Sequence, residues 1–334
     1  MKKKLFAAAC VLVPLGLLCA CGGTVSVPVT AYWYKDSSTG NNMLGEHREE
    51  KLTYSVTFTP STSATGLTLS YQTGEYTTYL SATSKDEDGN TFEDTVYRYE
   101  TELSIRGAYS VDGVKADDFA DSVKSVVYFK GIGSSLRPIK SVKTVHCHAP
   151  NSDYKSKDDC STLYDYVYAV SYNADGEKAT ITYTQNAPTD SEGAPFAPTE
   201  KSVSIKDPTN YYDNEQLLFV LRGMSMDAVF NVKTINPLSD QVETVKTVEA
   251  PAAIREVGFA LDMGAETKTH DIDAYRFTLQ YNSPYPGMGQ VLTYAKVTDK
   301  SNNTYRNVLL RMSVPILANL GTLNYTLVSA SFAE

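Results

Sequence analysis

Apolar and polar residues alternate along most of this chain. Leu52, Tyr54, Val56 and Phe58 fall on one side and Thr53, Ser55 and Thr57 on the other. That period of two marks a half-buried strand. Leu67, Leu69 and Tyr71 repeat the pattern, and it continues at Tyr76 to Ala82, Thr95 to Arg106, Ser125 to Lys130, Leu136 to Cys147, Tyr164 to Tyr172 and Lys178 to Thr184. Asp88-Gly89, Asp112-Gly113 and Asn173-Ala174-Asp175-Gly176 predict hairpins between them. Asp117 to Ala120 reads as a helical turn, and Asn186 to Glu200, rich in Pro, Ala, Thr and acid, as an excursion loop. Val25 to Tyr34 reads as a first strand, placed at an edge by Pro28. Seven more strands are predicted, at Ala228 to Ile235, Gln241 to Val248, Ile254 to Leu261, Ile272 to Tyr281, Gln290 to Val297, Thr304 to Met312 and Thr322 to Phe332, with a hairpin loop at Ser301-Asn302-Asn303. No fixed-period repeat is visible, which disfavours a propeller or solenoid.

One stretch breaks the rhythm. Asp213 to Gly223 predicts a helix of about three turns, with Asp213 as N-cap, Gln216 three residues on, and Gly223 as the left-handed stop. Leu217, Leu218, Val220 and Leu221 leave it few polar sides. The expectation is a helix buried against a sheet.

The N-terminus follows a different logic. Lys2, Lys3 and Lys4 precede an apolar run from Leu5 to Leu18, closed by Leu18-Cys19-Ala20-Cys21 and Gly22-Gly23. Charged, apolar and small residues in that order read as a secretory signal. The run is short for a membrane span. Leu18 to Cys21 resembles the bacterial lipobox. The resemblance implies cleavage between Ala20 and Cys21, diacylglycerol on the Cys21 sulfur and a palmitate-type acyl chain on its new amine. Residues 1–20 then form the signal, 21–30 the lipidated cysteine and a short tether, and 31–334 an extracytoplasmic β-rich domain with its helix near 213–222. After Cys21 there is no second apolar run of spanning length, so the lipid is expected to anchor the chain to a bacterial membrane. Gly22 lacks the aspartate associated with inner-membrane retention in some enteric bacteria, which permits the outer membrane.

Composition narrows the function classes. Apolar residues make up 42% of the chain, enough for a real core. Tyr outnumbers Phe, with 24 copies against 11, which suits half-buried strands. The net charge of −9 argues against nucleic acid as a partner, and cleavage of the three leading lysines makes the chain more acidic still. Of five cysteines, Cys147 and Cys160 alone remain in the domain beyond Cys21. An exported pair predicts one disulfide, contributing about 3 kcal/mol.

The chemistry-bearing residues are sparse. His146-Cys147-His148 with Cys160 downstream has the residue types of a zinc site, but strand geometry turns Cys147 away from both histidines. No metal or cofactor is therefore expected. Asp86-Glu87-Asp88-Gly89-Asn90 has its glycine too early for an EF-hand loop and reads as a hairpin tip. Asp117-Asp118 and Asp158-Asp159 read as solvated acids. Gly223-Met224-Ser225-Met226-Asp227 lacks the closing glycine of a nucleophile elbow, Gly131-Ile132-Gly133 lacks the helix of a dinucleotide site, and His270-Asp271 are neighbours without an oriented base. No catalytic residue is assigned.

Ser104 to Tyr109, Tyr212 to Gly223 and the closing Leu309 to Ser331 resemble, together, an uncharacterised family of bacterial exported proteins. That family's fold is similar to the half-barrel of the lipoprotein carriers, a curved antiparallel sheet wrapping a helix. The resemblance implies a mainly β half-barrel with a concave apolar side. Tyr54, Phe58, Leu217, Phe219 and Leu221 are candidates to line a cavity for a hydrophobic ligand such as an acyl chain, or simply to fill a core. The expected function is a non-enzymatic envelope lipoprotein that binds such a ligand or assists envelope assembly. The alternative is a structural or adhesive module of two β-sandwich domains; a hydrolase using His270 or Ser225 comes third.

Overall fold

The computed structural model of the chain describes residues 49–61, 66–132, 135–151, 153–206, 211–223, 229–237, 241–262, 267–280, 289–296, 307–316 and 319–333. The signal and lipobox, the Val25–Tyr34 segment, Met224 to Asp227 and Ser301 to Asn303 lie outside the described residues.

In chain order the strands are β1 (Glu49–Pro60), β2 (Leu67–Tyr71), β3 (Gly74–Lys85), β4 (Thr91–Val111), β5 (Val114–Ile132), β6 (Ser135–Pro150), β7 (Ser161–Tyr172), β8 (Lys178–Ala187), β9 (Phe196–Ser204) and β10 (Tyr211–Asp213). A helical segment, here α1, follows. It runs as a 3-10 turn (Asn214–Gln216), an α-turn (Leu217–Val220) and a second 3-10 turn (Leu221–Gly223). Then come β11 (Asn231–Asn236), β12 (Gln241–Thr247), β13 (Ala252–Asp262), β14 (Thr267–Gln280), β15 (Gln290–Ala295), β16 (Leu309–Pro315) and β17 (Gly321–Ala333).

The strands form a mainly antiparallel, barrel-like sheet. β1 is its seam, pairing β17 on one side and β3 on the other. From β3 the sheet runs outward through β4, β5, β6, β7 and β8 to β9. From β17 it runs through β16, β15 and β14. β13 pairs β14 and meets β17 again at Asp262–Ser329, so β13 to β17 close a five-strand ring. Because β1 hydrogen-bonds to both halves, the described strands form one continuous sheet rather than two separate sandwiches.

Local chemistry explains much of this. Leu52, Tyr54 and Val56 of β1 are buried as the alternation predicts. Asp112 and Gly113 both take positive φ, +50° and +81°. That combination is the type I′ geometry whose twist matches a two-stranded ribbon. The ribbon continues past the predicted helical turn: Asp118 pairs Ala108 and Phe119 pairs Gly107, so Asp117 to Ala120 is strand. Pairing with β4 supplies the backbone hydrogen bonds that a helical turn would have had to find alone. The predicted 186–200 excursion shrinks for the same reason. β8 extends to Ala187 and β9 begins at Phe196. Asp190 folds the short remainder by accepting from the backbone N–H groups of Glu192 and Ala194.

Candidate functional site

The interior of the sheet is organised around α1. Its N-cap is Asp213, whose carboxylate accepts from Glu215 N–H at 2.8 Å, while Gln216 Oε1 accepts from Asp213 N–H at 3.2 Å. This is the reciprocal capping box that the Asp213–Gln216 spacing predicts. The wall then holds the cap. Ser141 of β6 and Tyr172 of β7 each donate a hydroxyl to Asp213 Oδ2 at 2.6 Å, Gln216 Nε2 donates to the Leu136 carbonyl at 2.8 Å, and Lys143 pairs with Glu215 at 3.2 Å. Burial and then the nearby Glu215 carboxylate push Asp213 up to about 6, against those hydrogen bonds.

The far end is held by different strands. Arg222 makes a buried fork to Glu50 of β1, Nη1–Oε1 2.6 Å and Nη2–Oε2 2.9 Å. Burial works against the guanidinium charge, but Glu50 outweighs it and holds Arg222 above its ordinary range. Tyr294 of β15 donates to the Leu218 carbonyl at 2.9 Å, and Asn307 to the Arg222 carbonyl at 3.1 Å. These contacts give carbonyls near the helix C-terminus partners they would otherwise lack.

Between these polar ends the contacts are apolar. Four of the five candidate cavity residues, Tyr54, Leu217, Phe219 and Leu221, are at most 2% exposed and belong to one core cluster. The Phe219 ring lies 5.4 Å from Tyr99 and 5.3 Å from Phe129, the spacing of packed aromatics. Tyr54 donates to the Leu309 carbonyl at 2.9 Å. Phe58 is half-buried and meets Tyr71 edge-on at 5.4 Å. α1 and Tyr54 are thus part of the packed core. Burial pushes the phenols of Tyr54 and Tyr76 far up, so they serve as neutral hydrogen-bonding groups.

The expected disulfide is absent. Cys147 and Cys160 are free, buried thiols, donating to the carbonyls of Ser122 and Lys157. Register explains it. Cys147 lies opposite Tyr164, four residues beyond Cys160, and Asn151 N–H bonds the Cys160 carbonyl at the hairpin end. Four residues of strand span about 13 Å, well past the ~7 Å limit for bridged α-carbons.

β6 does turn Cys147 inward and its two histidine neighbours outward, as alternation predicts. His146 stands opposite Asp165 of β7 and bonds it through Nδ1 at 2.8 Å. His148 bonds Asp121 of β5 through Nδ1 at 2.9 Å and through its backbone N–H at 2.8 Å. Its ring stacks on Phe119 at 4.6 Å. Asp121, buried across the sheet, carried no signal in the sequence; neither did Glu50, the partner of Arg222 from 172 residues away.

The other candidates stay apart. Asp86 closes its hairpin by accepting from Asp88 N–H, Asn90 N–H and the Asn90 amide. Asp117 and Asp118 are exposed. Asp158 pairs with Lys157, and Asp159 caps the backbone N–H groups of Lys155 and Ser156. Gly131 and Ile132 close β5 as strand. Asp271 binds Arg255 and the Gly258 N–H. Among the described residues no group of three or more His, Cys, Asp or Glu is arranged to hold a metal ion.

No family model matches the sequence, and no curated protein matches it. Among solved structures, the chain is similar to the β-barrel-like protein of the domain of unknown function DUF1849 from Brucella abortus, with a TM-score of 0.46 and 11% identity over 86% of this chain and 99% of that one.

Proposed function

We propose that this chain is a non-enzymatic lipoprotein, anchored through Cys21 to the extracytoplasmic side of a bacterial membrane, whose barrel-like domain binds a hydrophobic ligand or assists envelope assembly. The observation that supports it is α1: an apolar segment enclosed by Tyr-rich strands and held by polar contacts at its two ends. In this reading α1 exchanges its apolar contacts for those of an acyl chain. Ligand entry then requires α1 to shift, because Leu217, Phe219 and Leu221 occupy the space a ligand would take.

Native mass spectrometry of residues 22–334 tests the ligand. A lipid-sized mass released on denaturation supports the reading. An apo mass that takes up nothing from lipid extracts refutes it and favours the second reading, a structural or adhesive module, for which the burial of Tyr54, Leu217, Phe219 and Leu221 in the core speaks. The anchor is tested separately. Cys21→Ser is expected to abolish palmitate labelling and release the chain from membranes; unchanged labelling refutes lipidation at Cys21.

A further inference from the structure

We propose that His146 and His148 bind a divalent transition-metal ion of the zinc class on the outer face of β6, through their two Nε2 atoms. The proposal is independent of the anchor and of any lipid ligand. It needs neither cysteine, since Cys147 faces the core.

The geometry that points there is the state of the two rings. Each gives its Nδ1 to a carboxylate, His146 to Asp165 and His148 to Asp121. A carboxylate only accepts, so Nδ1 is the donor, and in the neutral imidazole Nε2 then carries the lone pair, the tautomer that ligates metal. Metal-binding histidines almost always donate the other ring N–H to a carboxylate, a backbone carbonyl or water, and here the partner is a carboxylate at both rings. Both carboxylates are themselves fixed. Asp121 also accepts the Tyr71 hydroxyl at 2.9 Å and the His148 N–H, and Asp165 accepts the Asn186 amide at 2.9 Å. Phe119 stacks against the His148 ring and limits its rotation. Two histidines two residues apart on a strand share one face. Here both are partly open to solvent, with His146 44% and His148 21% exposed. Among the described residues neither Nε2 has a protein hydrogen-bond partner.

The ring centroids are 6.3 Å apart. Two imidazoles on one tetrahedral zinc, with Zn–N near 2.0–2.1 Å, place their centroids about 5 Å apart. Closing that difference takes about an ångström of ring movement. The donor set also sets the selectivity. Imidazole nitrogens suit zinc, copper or nickel, whereas calcium and magnesium require oxygen ligands that are already engaged here. With two protein ligands, the remaining positions fall to water or to a side chain from a partner. The two orienting carboxylates balance the charge of the ion.

The test is zinc binding by the full chain, read by calorimetry, with zinc-dependent protection of His146 and His148 from diethylpyrocarbonate read by peptide mass. Diethylpyrocarbonate modifies the free imidazole nitrogen, so protection reports the site itself and not zinc held elsewhere on the chain. The expected results are protection of both histidines, loss of that binding event in His146→Asn/His148→Asn, retention of it in Cys147→Ala, and affinity weakened about 10- to 100-fold in Asp165→Asn. Unfolding curves of the variants that match the parent exclude misfolding as the cause of any loss. Zinc binding unchanged in the double variant, or both histidines equally modified with and without saturating zinc, overturns the proposal.

Discussion

Asp213 gives the sharpest prediction. In the unfolded chain its carboxyl titrates near 3.8; folded, burial first and Glu215 second raise it to about 6. The difference is about two pKa units, at ~1.4 kcal/mol each, or about 3 kcal/mol in all. The sign follows from linkage. The folded state holds this proton more tightly than the unfolded one, so the contribution to stability is fully present below about pH 4 and is lost as pH rises through about 6. Asp213→Asn keeps an oxygen for the Glu215 N–H, and its amide can donate to the Ser141 and Tyr172 hydroxyls, which turn to accept. The variant therefore resembles the protonated side chain at every pH. Urea unfolding of both proteins between pH 3.5 and 7.5 isolates the effect, because carboxylates that do not interact with Asp213 cancel in the difference. The variant is expected to match the parent near pH 4 and to exceed it by up to about 3 kcal/mol at pH 7. A difference that does not change across pH 4–6.5 refutes the reasoning. So does a variant that is less stable than the parent at pH 7, which would mean that the ionised cap stabilises the fold.

Three further outcomes follow from other contacts. Glu50→Ala, which leaves the Arg222 charge buried and alone, is expected to cost about 3–5 kcal/mol in chemical denaturation, with much of the loss recovered in an apolar Glu50→Leu/Arg222→Met pair; a cost under 1 kcal/mol contradicts the buried fork. Reductant is expected to leave the unfolding midpoint unchanged, and alkylation after denaturation to find both Cys147 and Cys160 as thiols; a chain two mass units lighter, with neither thiol alkylated, restores the bridge. Gly107→Ala places a methyl 2.6 Å from the Tyr71 ring and 2.8 Å from the Ser70 carbonyl, so overpacking by about 1–3 kcal/mol is expected from unfolding curves; a neutral substitution means that β2 can move off β4.

What could be read from the sequence was local. Alternation placed the strands, Asp112-Gly113 and Asn173 to Gly176 placed hairpins, and the Asp213–Gln216 spacing placed the capped helix. Each of these signals is satisfied by neighbours within a few residues. The rest depends on register. Asp117 to Ala120 and Phe196 to Ser204 become strand because β4 and β8 offer them partners. The cysteines sit close in sequence yet far apart along one hairpin. The candidate site splits in the same way: Asp213 could be recognised, whereas Ser141, Tyr172, Glu50 and Tyr294 reach α1 from strands that only the folded sheet brings near. The histidines were visible as a pair, but the carboxylates that orient them come from β5 and β7.

The seam at β1 has a consequence for synthesis. β1 begins at Glu49 and its partner β17 ends at Ala333, so a strand made early must wait for one made far later. The Tyr54–Leu309 hydrogen bond spans 255 residues. Pairing with β3 can begin as soon as the β1–β3 segment is free, which protects one edge while the other stays open. Until β17 arrives, that open edge is where a nascent chain is most exposed to a wrong partner. A molecule cut short before Gly321 lacks β17 and leaves that side of the seam undone.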